Sequence, residues 1–201
     1  MFNLIKERLD KSLTFEQFIK KIENYLENTN PDNLNESDKH LYEFTKLNLQ
    51  RMNRIQKTYS VSTEMKNALA KINKKQYWII ITEEWCGDSA QNTPIIAKIA
   101  EANPNIELRI LERDDNLDII DHYLTDGKRK IPKVILFDEN GNELFQWTER
   151  PKKASEFMTS LLNNGTPKEK AIEELQVWYN QNKGVELEKE FIELLNQLPN
   201  Y

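Results

Sequence analysis

The chain has 201 residues, enough for one or two domains with an ordinary core, and its 38% hydrophobic and 30% charged content suits a folded protein with a large helical surface and argues against disorder. A net charge of −5 spread along the sequence argues against a broad nucleic-acid footprint. No apolar run approaches the roughly 18 residues of a membrane span, and Met1 to Asp10 lacks the long apolar centre of a secretory leader, so neither a membrane nor a nucleic acid is expected as a partner.

Residues 1–75 read as helical. Thr14 followed by Gln17 has the form of a capping box, and Phe15, Phe18, Ile19, Ile22 and Leu26 recur at helical spacing behind it. Asn30-Pro31-Asp32 breaks that helix. A longer one is expected from Asn35 or Ser37 to about Lys57, with Leu41, Phe44, Leu47, Leu49 and Met52 as its apolar face. Ser62 then caps a short helix carrying Met65, Leu69 and Ile72.

From Gln76 the pattern changes. Tyr77 to Thr82 is a continuous apolar, β-branched run of strand length, and Ile95, Ile96, Ile99 and Ala100 follow on one face of a helix. Asn103-Pro104-Asn105 turns the chain into Ile106 to Leu111, whose apolar residues alternate as in a half-buried strand. Asp115 is expected to cap a helix through Tyr123 that ends at Gly127. Val134 to Phe137 and Glu143 to Trp147 flank Asp138-Glu139-Asn140-Gly141-Asn142, a hairpin signal with its tight turn at Asn140-Gly141. A helix follows from Lys152 to Leu162. The order β-α-β-α-β-β-α belongs to an α/β fold, a mixed sheet with helices on both faces.

Residues 163–201 return to helical patterning. Thr166-Pro167-Lys168-Glu169 places a capping residue, a proline and a box glutamate in sequence, with Ile172, Leu175 and Trp178 at helical spacing after them. Gly184 ends that helix, and a last one carries Phe191, Leu194 and Leu195. Trp147 and the Trp178-Tyr179 pair read as core or helix-docking residues. His40 and His122 are isolated, and no Cys/His spacing suggests a metal site.

Cys86 is the only cysteine, so no internal disulfide can form and a reducing, cytoplasmic setting is expected. Read from the residues alone, it is either a small hydrophobe at a helix start or a thiol activated there by unpaired N–H groups and the helix dipole. Ser89 is either a capping residue or a hydrogen-bond donor to a thiolate. Asp88 reads as a solvated charge at a helix N-terminus.

The strand Tyr77 to Thr82, the motif Trp85-Cys86-Gly87-Asp88-Ser89 opening a helix, and Arg129-Lys130-Ile131-Pro132 leading into the strand from Val134 together resemble thioredoxin. The likeness extends over residues 76–162 and is nearest to bacterial thioredoxin-like proteins with a helical N-terminal extension. It implies a thioredoxin fold with added helices before residue 76 and after residue 162. Cys86 then takes the nucleophilic position, with Ser89 beside it in a CxxS-type motif, and Pro132 is a cis-proline facing the thiol. The backbone of Ile131 would pair with an extended substrate, and Trp85, Gly87 and Asp88 would border the same groove. The departures matter as much. Ser89 replaces the resolving cysteine, Asp88 replaces the intervening proline, and Ile80 stands where the family keeps a buried acid.

These features lead to a monothiol thiol-disulfide oxidoreductase acting on a protein or low-molecular-weight thiol or disulfide, with no bound cofactor required. The alternatives are a binding or scaffold module without redox turnover, and a thiol sensor. Lys128, Arg129, Lys130 and Lys133 surround Pro132. They form either a solvated basic turn or charges, Lys130 and Lys133 above all, that face the thiol, offset Asp88 and attract an anionic partner.

Overall fold

A computed structural model describes residues 2–198 of the chain; Met1 and residues 199–201, which belong to the expected helical ends, lie outside the described residues. α1 (Phe2–Arg8) precedes the expected capping box, which forms in full. Thr14 Oγ1 accepts from the Gln17 N–H at 3.2 Å and Gln17 Oε1 accepts from the Thr14 N–H at 2.8 Å, starting α2 (Phe15–Asn28). α3 (Glu36–Thr58) begins at Asn35, whose side chain accepts from the Asp38 N–H at 2.9 Å.

The face that α3 buries differs in part from the expected one. Met52 is buried and Leu49 packs partly buried against the core as expected, but Leu41, Phe44 and Leu47 are 36, 37 and 41% exposed, and Tyr42, Thr45, Asn48 and Ile55 point inward in their place. Two polar anchors fix the rotation: Asn48 donates to the Glu84 carbonyl at 3.0 Å and Gln56 to the Pro94 carbonyl at 2.9 Å. A hydropathy pattern counts such residues as surface, whereas here their amides donate to backbone carbonyls of the packed sheet-helix unit and tie α3 to it. α4 (Thr63–Leu69) is capped by Ser62 as expected, and Ile72 lies beyond its end, still buried.

Four strands, β1 (Gln76–Thr82), β2 (Ile106–Glu112), β3 (Lys133–Asp138) and β4 (Glu143–Thr148), form one sheet in the order β2-β1-β3-β4. β1 runs parallel to β2, with Ile80 beside Ile110, and antiparallel to β3, with Ile80 beside Val134. The crossover from β1 to β2 is α5 (Gly87–Glu101), so the thiol-bearing turn sits at the C-terminal end of the central parallel strand. Leu13 exchanges two backbone hydrogen bonds with Ile110 and covers part of the outer edge of β2.

Strand alternation divides the interior in two. Trp78, Ile80, Val134 and Leu136 face one core with Phe18, Met52, Met65, Ile96 and Phe191; Ile79, Ile81, Ile135 and Phe137 face the other with Ile5, Ile119 and Tyr123. Helices from both ends of the chain therefore share a core with the sheet. The β3-β4 hairpin turns where expected, with Asp138 Oδ1 accepting from the Asn140 and Asn142 N–H groups and Gly141 at φ 84°.

Two helix starts depart from expectation. α6 (Leu117–Ile120) begins at Asn116 rather than Asp115, because Asn116 donates to the Glu112 carbonyl at 2.7 Å and ties the helix to the end of β2. It gives way to a 3-10 turn at Asp121–Tyr123, well before Gly127. α7 (Lys152–Asn163) is as expected. Thr166 does not cap α8 (Lys168–Asn182): its N–H bonds back to Leu161 as part of the preceding turn, and Pro167 takes the N-cap position. α8 buries Ala171, Leu175 and Tyr179, leaving Ile172 40% exposed.

Gly184, at φ 86°, joins α8 to α9 (Val185–Gln197), and a Cβ there would lie 2.7 Å from Ile95 Cδ1. Gly184→Ala is expected to cost about 2 kcal/mol in urea denaturation through the left-handed backbone and the clash with α5. A loss below about 0.5 kcal/mol would mean that the turn repacks freely.

Candidate functional site

The end of β1 delivers the chain to Cys86, the N-cap of α5, whose carbonyl accepts the first helical hydrogen bond from the Ala90 N–H at 3.0 Å. Cys86 is half-buried, and its thiol lies 3.5 Å from the Ile131 carbonyl as a hydrogen-bond donor. Ile131-Pro132 is a cis peptide bond. The thiol thus faces the turn that the sequence pairs with it.

Burial pushes the Cys86 thiol up from its ordinary value, and the charge of Asp88 adds to that; the Ser89 hydroxyl and the N–H groups of Ser89 and Asp88 pull in the other direction. Ser89 is buried and its hydroxyl pairs with that of Thr82. Trp85 is half-buried, with the Arg113 guanidinium 5.0 Å from its ring centre.

Asp88 is not a solvated charge. Its side chain is only 14% exposed and accepts from Arg150 at 2.7 Å and from the Tyr179 hydroxyl at 2.6 Å. Burial raises its pKa, opposed first by Arg150 and then by Tyr179. Asn92 closes the cluster, donating to the Asp88 carbonyl at 2.9 Å and to the Tyr179 oxygen at 3.2 Å. Glu149, in the left-handed region at φ 65°, holds Arg150 with one carboxylate oxygen and Lys130 with the other.

The basic residues around Pro132 do not offset Asp88. Arg129 pairs with Asp121, Lys130 with Asp126 and Glu149, and the buried Lys133 donates to Thr125 and Gln146. Arg150 takes the role expected of them. Nothing in the sequence motif marked Arg150 or Tyr179, because they reach Asp88 from beyond β4 and from α8; Asn92 lies one turn on along α5 itself, where a polar residue reads as surface. The signal that was available is Arg150-Pro151 itself, an arginine at the end of the last strand of the sheet that carries the thiol.

Ile80 leaves the family's acidic position apolar, yet a buried carboxylate stands three residues before Cys86. Glu83 accepts from the Asp114 N–H at 2.8 Å, and burial, with Glu84, Asp114 and Glu112 nearby, lifts its pKa to about 7 despite that hydrogen bond. The carboxylate oxygens of Glu83, Glu84 and Glu112 lie within 4.8 Å of one another, although Glu112 is also paired with Lys21.

Residues 35–163 match the thioredoxin family model, more than half of the chain, and the chain belongs to that family. No curated protein matches it. Among solved structures, it is similar to an HIV epitope-scaffold at 21% identity and a TM-score of 0.52, over 85% of this chain and 93% of that one. It is also similar to a protein of unknown function from Pseudomonas aeruginosa at 18% identity and a TM-score of 0.52, over 90% of this chain and 97% of that one. At these identities both share the fold and nothing finer. Among the described residues no helix is long and apolar enough to cross a membrane.

Proposed function

We propose that the protein carries out thiol-disulfide exchange through Cys86 alone. The Cys86 thiolate attacks one sulfur of a substrate disulfide, forming a mixed disulfide and releasing the other sulfur as a thiolate. An external thiolate then attacks the substrate sulfur, takes it as a new disulfide and returns Cys86 as a thiolate. The supporting observation is the half-buried thiol 3.5 Å from the carbonyl before cis-Pro132, where an extended chain can pair with the Ile131 backbone. Ser89 serves as a donor to the thiolate and has no sulfur with which to resolve the mixed disulfide. Trp85, Gly87 and Asp88 border the groove.

This reading takes residues 76–162 as the thioredoxin-like unit, with residues 1–75 as a helical N-terminal extension packing on it and residues 163–201 as a C-terminal helical extension. A protein or low-molecular-weight thiol or disulfide is the substrate, and a reducing cytoplasm is the setting.

A second reading, a binding module without exchange, is favoured by the upward push of burial and Asp88 on the thiol, which lowers the thiolate fraction at neutral pH. Alkylation rate against pH separates the two. Exchange requires a thiolate population that reacts with a disulfide at neutral pH in the wild type and not in Cys86→Ser. A thiol inert to disulfides below pH 9, with partners retained by Cys86→Ala, establishes the binding module instead.

A further inference from the structure

Arg51 and Arg54, one turn apart on α3, line a surface groove of about 340 Å³ with Leu47, Gln50, Gln176 and Asn180, between α3 and α8. The Arg51 guanidinium reaches the thiol-bearing turn: Arg51 Nη1 lies 3.7 Å, and Gln176 Nε2 3.5 Å, from where a Cβ on Gly87 would stand. Gly87 follows Cys86 directly. Arg51 is also tied to this turn from below, donating to Asn48 Oδ1 at 2.9 Å, while the fully buried Asn48 donates to the Glu84 carbonyl two residues before Cys86.

Among the described residues neither arginine forms an ion pair with a carboxylate. Arg54 donates to Asn180 Oδ1 at 2.7 Å, a neutral partner. Partial burial, and after it the charge of Arg54, lower the Arg51 pKa. In a protein of net charge −5, with Arg8, Arg109, Arg113, Arg129 and Arg150 all paired to carboxylates, this exception stands beside the thiol. Planar forks of this kind match carboxylate oxygens two at a time.

We infer that the α3-α8 groove seats the carboxylates of a small acidic thiol or of its disulfide, placing the sulfur against Cys86. The inference rests on the exchange reading and names its small-molecule substrate class. The groove volume lies at the lower end of the range for small-molecule sites, which suits a compound of a few residues' bulk rather than a protein surface. Leu47 supplies an apolar wall, and Gln50, Gln176 and Asn180 can hold the remaining polar groups.

The test compares the rate at which Cys86 is modified by two disulfides, the dianionic dithiobis(nitrobenzoate) and the neutral dithiodipyridine. The Arg51→Gln/Arg54→Gln variant is expected to slow the dianionic reagent about tenfold at low salt and to leave the neutral one unchanged; the Arg51→Lys/Arg54→Lys variant, which keeps both charges but not the planar forks, is expected to lose most of the preference, and its full retention would overturn a carboxylate seat in favour of charge steering. Equal slowing of both reagents, or of neither, overturns the proposal. If wild-type Cys86 reacts with neither disulfide, the exchange reading fails by itself. The groove is then decided by titrating S-methylglutathione, a dicarboxylate without a free thiol, against the Arg51 and Arg54 Nε–H signals. Shifts at both, lost in the double glutamine variant, support an anion seat, and silence at both overturns it.

Discussion

Arg150→Met is expected to destabilise the protein by about 3 kcal/mol, because it leaves the Asp88 carboxylate with a hydroxyl partner alone in a site where each member of the pair is only 14% exposed. Asp88→Asn/Arg150→Met is expected to recover most of the loss, since a pair replaced by neutral groups of similar shape leaves no buried charge. Urea denaturation of the two single variants and the double variant completes the cycle. A cost for Arg150→Met below about 1 kcal/mol would show that solvent screens the pair as it does at a surface. Asp88→Asn alone has a second consequence: it removes the charge that, after burial, most raises the Cys86 thiol, so the alkylation profile moves to lower pH.

Glu83 makes the stability depend on pH. Its folded pKa of about 7 lies above its ordinary 4.5, so the folded state holds this proton more tightly than the unfolded chain does. The stability it contributes is therefore complete below pH 4.5, falls as the pH rises, and is gone beyond about 7. At about 1.4 kcal/mol per pH unit, the whole change is about 3 kcal/mol. Glu83→Gln keeps an oxygen to accept the Asp114 N–H, and it is expected to remove that slope and to be the more stable protein at pH 8. Glu84, Asp114 and Glu112 crowd the carboxyl, and Lys21 is taken up by Glu112, so no cation among them relieves Glu83. Identical slopes for variant and wild type between pH 5 and 8 would mean that the carboxyl is solvated.

Asp88 draws its partners from elements distant in sequence. An acid at the second position of a helix is favourable with the dipole alone, and the rule that predicts it cannot see Arg150 arriving from the end of β4 or Tyr179 from α8. The basic turn around Pro132 left two readings open, solvated or facing the thiol, and neither foresaw that Arg129, Lys130 and Lys133 each find partners within the turn or on neighbouring elements. In α3, apolar counting selected Leu41, Phe44 and Leu47, while buried hydrogen bonds from Asn48 and Gln56 turned the helix to another face.

What local sequence determined is what depends on near neighbours: the capping box at Thr14, the buried strand from Tyr77, the Asn140-Gly141 hairpin, and a cysteine opening a helix with an Ile-Pro turn before the next strand. Period, propensity and turn chemistry act over a few residues and are written in the chain directly. Tertiary structure alone decided which charges reach Asp88, which face of α3 is buried, and that Arg51 and Gln176 flank Gly87. Those contacts join residues distant in sequence, and their energies come from burial and desolvation, which no single segment possesses before the sheet and the helices from both ends of the chain close on one another.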